Sequence, residues 1–167
     1  MPNHTPSNDR ELVIVREFDA PLDLFWKVWT QPQHIAQWFG PRGFSTRVDT
    51  YDFRVGGKWA YTMIGPDKAE YPCDGIFQEI LLHSRIVTTD EFGDELRQRH
   101  PNDDFPRGIV VTALFEDLGG RTRLIIRIMH QSAQDRINHE KMGVVAGWGS
   151  SFDCLDEYIA TLTPVSR

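Results

Sequence analysis

The stretch "KMGVVAGWGSSFDCLDEYIATL", residues 141–162, constrains this chain more than any other. Val145, Trp148, Phe152, Leu155, Ile159 and Leu162 recur at steps of three and four, while Asp153, Asp156, Glu157 and Thr161 fall largely on the other face. That periodicity predicts an amphipathic helix, and Pro164 would stop it. At about 1.5 Å per residue such a helix spans roughly 33 Å, the width of a small domain, so it must lie across something broad. Its N-terminal half carries Gly143, Gly147 and Gly149. Each glycine costs a helix interior about 1 kcal/mol against alanine. Glycines at the start of an apolar stripe keep that surface shallow, for close backbone packing, for a pocket or as a membrane-type glycine pair, the last disfavoured because no apolar run reaches the length of a membrane span.

The rest of the chain supplies the broad partner. Residues 11–18 ("ELVIVREF") are β-rich and read as a strand. Pro21 and Asp23 suit a helix start, and Leu22, Phe25, Val28 and Trp29 form its stripe. A second, shorter helix opens at Pro32, with Ile35, Trp38 and Phe39 on one side, and ends at Gly40-Pro41. From residue 43 the pattern changes to strands: 44–53, 58–64, 75–82, 85–92, and two more within 108–130 joined at Gly119-Gly120. Consecutive strands with short turns predict an antiparallel meander. The expected fold class is α+β: a curved antiparallel sheet of about seven strands around a long C-terminal helix, with two short helices after the first strand. One domain, 11–163, is expected between a disordered N-terminal tail, 1–10, and a C-terminal tail, 164–167. Residues 93–108 are polar and proline-bearing, a long connection that reads as a solvated hairpin extension or as a lid or binding loop. As a lid, its natural apolar contact with a cavity rim is Phe105; as an extension, it has no need of Phe105.

Composition removes several classes of function. The net charge is −6 and no Lys/Arg cluster occurs, so no nucleic-acid footprint is present. No apolar run reaches the length of a membrane span, so no membrane insertion is expected. The N-terminus lacks the apolar region of a signal peptide, and Cys73 and Cys154 have no metal-type spacing. Free thiols and a cytoplasmic location are expected.

Motifs for chemistry are weak. Gly56-Gly57-Lys58 lacks the following serine or threonine of a phosphate loop, and Asp52 and Arg54 suit a structural ion pair across that turn. His139-Glu140 is followed by Gly143 where a metalloprotease helix needs histidine. No catalytic set, cofactor or metal is expected. His130 stands out because Leu124, Ile126, Ile128 and His130 share one face of a strand whose other face carries Arg123 and Arg127. It points inward, as a ligand contact, as an acid or base, or as a satisfied structural histidine.

Four motifs in order carry a resemblance. Ala20-Pro21 with Thr30-x-Pro32 and Trp38-Phe39-Gly40-Pro41 is the first, and Asp52-x-Arg54-x-Gly56-Gly57-x-Trp59 the second. "GIFQEILLHSRIV" and "GWGSSFDCLDEYIA" complete the series. Over residues 11–162 the chain resembles bacterial proteins similar to the activator of the heat-shock-protein-90 ATPase. The resemblance implies the START-like, helix-grip fold, in which a sheet grips a long C-terminal helix around a cavity. It also implies a superfamily of lipid carriers, hormone receptors, polyketide cyclases and chaperone cofactors, so fold alone does not give function.

Three readings follow. A binding module would hold a small hydrophobic molecule between helix and sheet, and its candidate lining is Trp38, Phe39, Trp59, Tyr61, Phe77, His130, Met142, Val145, Gly149 and Phe152. A chaperone-interacting module would have a filled interior and an exposed aromatic or charged surface. A cyclase- or hydrolase-like enzyme would need at least two polar groups converging inside, and an enzyme is the less expected case.

Overall fold

The computed structural model describes residues 5–102 and 104–162. The expected C-terminal tail at 164–167 and the first four residues of the N-terminal tail lie outside the described residues. Residues 5–10 carry neither helix nor strand. They are nevertheless tied down, for the Ser7 N–H donates to Glu11 Oε1 at 2.9 Å and the Arg10 carbonyl accepts the His130 N–H at 2.9 Å.

The strands β1 (Glu11–Phe18), β2 (Ser45–Tyr51), β3 (Lys58–Ile64), β4 (Glu70–Leu81), β5 (Arg85–Phe92), β6 (Ile109–Asp117) and β7 (Thr122–Met129) form one curved antiparallel sheet. Its order is β1-β7-β6-β5-β4-β3-β2, so β2 to β7 make a meander and β1 returns beside β7. Helices α1 (Leu22–Thr30) and α2 (Pro32–Trp38) carry the chain from the β1 edge to the β2 edge. Register shifts in β2 between Val48 and Thr50, and in β4 between Phe77 and Glu79, bend the sheet. Helices α3 (Asp94–Arg99), α4 (Ala133–Lys141) and α5 (Val144–Leu162) complete the chain. This is the helix-grip architecture.

The core sits where the second half of α5 meets α1, β1 and β7. Phe18 lies 4.9 Å from Phe25 and 5.5 Å from Phe152, ring centre to ring centre. Leu124, Ile126 and Leu155 are fully buried beside them. The backbone of α5 comes closest to α2 and α4 rather than to any strand. Side chains span the interval. Arg16 on β1 reaches Asp153 at 2.7 Å, the Gly40 N–H donates to Ser151 Oγ at 3.0 Å, and the Arg42 N–H donates to Ser150 Oγ at 2.8 Å.

Three expectations are corrected. The continuous helix over 141–162 is two helices, because Gly143 adopts φ +87° between α4 and α5. Its N–H closes α4 on the Glu140 carbonyl at 2.9 Å, so it is a left-handed glycine past a helix end, where glycine is favoured rather than costly. The α4 helix itself starts on Ser132, whose Oγ accepts the Asp135 N–H at 3.0 Å. Strand β4 begins at Glu70, ahead of the expected Gly75, because Pro72 and Asp74, both poor strand formers, pair with Thr62 and Ala60. Finally, 93–108 contains α3 and is anchored by Arg97, whose guanidinium donates to the Phe105 and Pro106 carbonyls, each at 2.9 Å.

Candidate functional site

The inward stripe of α5 runs through Val144, Gly147, Trp148 and Ser151 before it reaches Phe152 and Leu155. In the first part of that stripe Trp148 is the one large side chain, and a Cβ built on Gly147 would meet nothing within 4 Å. A cavity occupies the interval. Its larger lobe is about 580 Å³ and the smaller about 100 Å³. Phe39, Cys73, Asp90 and Trp148 border both. Small-molecule sites fall at roughly 300–1,000 Å³ with mostly apolar walls and few polar groups.

Strand alternation builds the walls. In β3, Trp59, Tyr61 and Met63 face inward; in β5, Ile86, Thr88, Asp90 and Phe92 do. The anchored segment after β5 contributes Leu96, His100 and Phe105 to the larger lobe, with Phe105 packed on Phe92 at 5.0 Å. Phe105 therefore stands at the cavity, and the segment covers part of it.

The candidate residues separate into two groups. Trp38, Trp59, Tyr61 and Phe77 line the smaller lobe, Phe39 lines both, and Met142 lines the larger lobe. His130, Val145, Gly149 and Phe152 do not border either lobe. Val145 is 49% exposed, since four residues before Trp148 the stripe passes through Val144 instead. The Gly149 carbonyl accepts from Arg16 Nη1 at 3.3 Å, on the β1 side. Phe152 is core, between Phe18 and Trp148. His130 is buried one layer behind the cavity, with Nε2 2.9 Å from His139 Nδ1.

Polar groups in the cavity are few. The Asp90 carboxyl has no hydrogen-bond partner among the described residues, and what surface it retains faces the two lobes. Burial, with Glu91 and Asp74 adding like charge, pushes it up to about 7. Burial likewise holds the Tyr61 hydroxyl and the Cys73 thiol well above their ordinary values. The Trp59 Nε1–H is fully buried without a partner among the described residues. It lies against Gly75, where a Cβ would come within 2.7 Å of Nε1 and 1.9 Å of the Thr89 carbonyl oxygen, so only glycine fits there. His139 borders the larger lobe and is only 6% exposed.

Sequence reasoning missed Asp90, His139 and Trp148. A signal existed for Asp90, which is the one carboxylate on the inward phase of "RIVTTDEF". Trp148 was visible on the helix stripe but not assigned to the lining. His139 had no signal, because the charged run that precedes Gly143 does not advertise α4.

The sequence profile of the family described as activator of Hsp90 ATPase homolog 1-like protein matches residues 19–160. The chain belongs to this family. The solution structure of an Arthrobacter aurescens protein shares 29% identity and superposes with a TM-score of 0.82 over 92% of this chain and 87% of that one. A Mycobacterium smegmatis crystal structure shares 25% identity, with a TM-score of 0.80 over 93% and 94%. A Rhodobacter sphaeroides protein at 17% identity has the same fold, with a TM-score of 0.81 over 96% and 99%. No curated protein matches the chain.

Proposed function

We propose, from this family membership and the shape of the interior, that the protein binds a small, mostly apolar molecule between the sheet and α5. One observation carries the reading: a cavity of about 580 Å³ persists beneath Gly147 and Trp148 although the other half of the same helix is fully packed. An unfilled apolar volume of this size destabilises a fold by forfeiting contacts, so its retention argues for an occupant. Aromatic walls supply affinity, and Asp90, Tyr61 and Trp59 supply a small number of orienting groups. A chaperone-docking module is less well supported, since that reading calls for a filled interior. The free thiols Cys73 and Cys154 agree with a cytoplasmic setting.

The test is Gly147→Leu, which places four carbons into open space on the cavity wall. An environment-sensitive naphthalenesulfonate dye should bind the wild type with enhanced fluorescence, and binding should drop at least tenfold in the variant. Folded Gly147→Leu that binds the dye as the wild type does would remove the cavity as the site.

A further inference from the structure

The cavity holds one group whose hydrogen-bonding role is dictated by the backbone two steps away. The Arg10 carbonyl oxygen accepts the His130 N–H at 2.9 Å and also lies 2.8 Å from His130 Nδ1. A carbonyl has no proton to give, so His130 Nδ1 carries the hydrogen. A neutral imidazole has one N–H, which leaves His130 Nε2 as a bare lone pair. Its neighbour at 2.9 Å is His139 Nδ1, which must then be the donor. The same reasoning applied once more leaves His139 Nε2 as a lone pair.

The surroundings keep both rings neutral. Burial, then the neighbouring His130, pushes His139 down to about 4, and burial also lowers His130. The charges near His130 on α4 oppose one another: Asp135 and Glu140 favour its cation and Arg136 disfavours it. Against His139 packs the edge of the Phe92 ring, at 5.8 Å. No group of three or more His, Cys, Asp or Glu side chains suited to a metal occurs among the described residues.

His139 Nε2 has no partner among the described residues, yet the one fully buried side-chain nitrogen or oxygen left without a partner there is Trp59 Nε1. His139 Nε2 therefore opens onto accessible space, and the space His139 borders is the larger lobe. An imidazole lone pair on the wall of a mostly apolar chamber selects a neutral proton donor. It repels a carboxylate, and it gains nothing from an ether or a hydrocarbon.

Resting on the cavity reading above, we infer that the occupant is a mostly apolar molecule bearing a hydroxyl group, and that this hydroxyl donates to His139 Nε2. His130 is then a positioning residue: it transmits the constraint of the Arg10 carbonyl to the ring that touches the ligand.

Three probes separate this assignment from the cavity reading: 4-hydroxybenzophenone, 4-methoxybenzophenone and benzophenone, titrated calorimetrically into the full chain. The hydroxylated probe should bind roughly fivefold to tenfold tighter than the methyl ether, the worth of one net hydrogen bond. In His139→Phe that gap should close. Equal affinities for all three in the wild type, or a gap that survives His139→Phe, would overturn the hydroxyl assignment and leave the cavity reading intact. No binding of any probe would remove both. A measurement on the free wild type covers the case in which His139→Phe does not fold. Long-range proton–nitrogen correlation should show the hydrogen on Nδ1 of both rings, and a hydrogen on His139 Nε2 would overturn the assignment.

Discussion

The two halves of α5 differ sharply in burial. From Ser151 onward Phe152, Leu155 and Ile159 are at most 2% exposed, locked against Phe18 and the sheet. From Val144 to Ser150 no residue is fully buried, although the inward phase continues through Gly147 and Trp148. One helix thus acts as a core element along half its length and as the roof of a chamber along the other. The packed half holds the helix in place, with Arg16 and Ser151 as lateral ties, so the roof does not need contacts of its own. Stability and vacancy are separated along a single axis rather than assigned to separate elements.

The contrast can be broken most directly at Phe152. Phe152→Ala should cost about 3–5 kcal/mol in chemical denaturation, and Trp148→Ala, whose side chain borders an existing cavity, should cost clearly less. Equal losses would mean that the two halves are packed alike.

The next effect tests the chamber through its carboxyl. In the unfolded chain Asp90 ionises at the ordinary carboxylate value, but in the native state only near 7. Between those values the native state holds more protons, so stability should fall as pH rises through that window and level off above it. The fall is at most about 4 kcal/mol. Asp90→Asn should flatten it, and denaturation curves at a series of pH values read the difference. A wild-type profile that is flat between pH 4 and 7 would show that Asp90 is solvated and that the chamber is not dry.

The glycines give the smallest effects and opposite signs. Gly143→Ala forces a Cβ into the left-handed region and should destabilise by about 1–2 kcal/mol. Gly147→Ala lies in a helix interior with open space around it and should stabilise by up to about 1 kcal/mol. If both changes were stabilising, the break between α4 and α5 would not exist in solution.

Much of the fold was legible in the sequence because its elements announce themselves by period. The β1 bounds, α1, α2 and the hairpin of β6 and β7 all lie where alternation or helical stripes placed them. The elements that escaped are those whose cause is tertiary. Helix α4 is polar nearly throughout and exists because Ser132 and Gly143 cap it and His139 is buried. Helix α3 rests on Arg97, a residue whose bonds to backbone carbonyls no local pattern reveals. The aromatic wall of the cavity followed from strand phase at Trp59 and Tyr61. The part built from α5 was displaced by one residue, to Val145, Gly149 and Phe152, because periodicity says which residues share a face but not how that face is turned toward the sheet.

The pairing of β1 with β7 joins Glu11 to Met129, the longest closure in the sheet. Contacts so distant along the chain form slowly, because the entropy of a large loop must be lost before any pairing rewards it. Arg10 immediately precedes β1 and arrives with it, and its carbonyl sets the proton on His130 and so on His139. A chain that has folded its meander but not yet docked its first strand has walls without a defined acceptor. The tautomer proposed for His139 is accordingly a property of the finished molecule, since the Arg10 carbonyl meets His130 only where β1 is docked on β7.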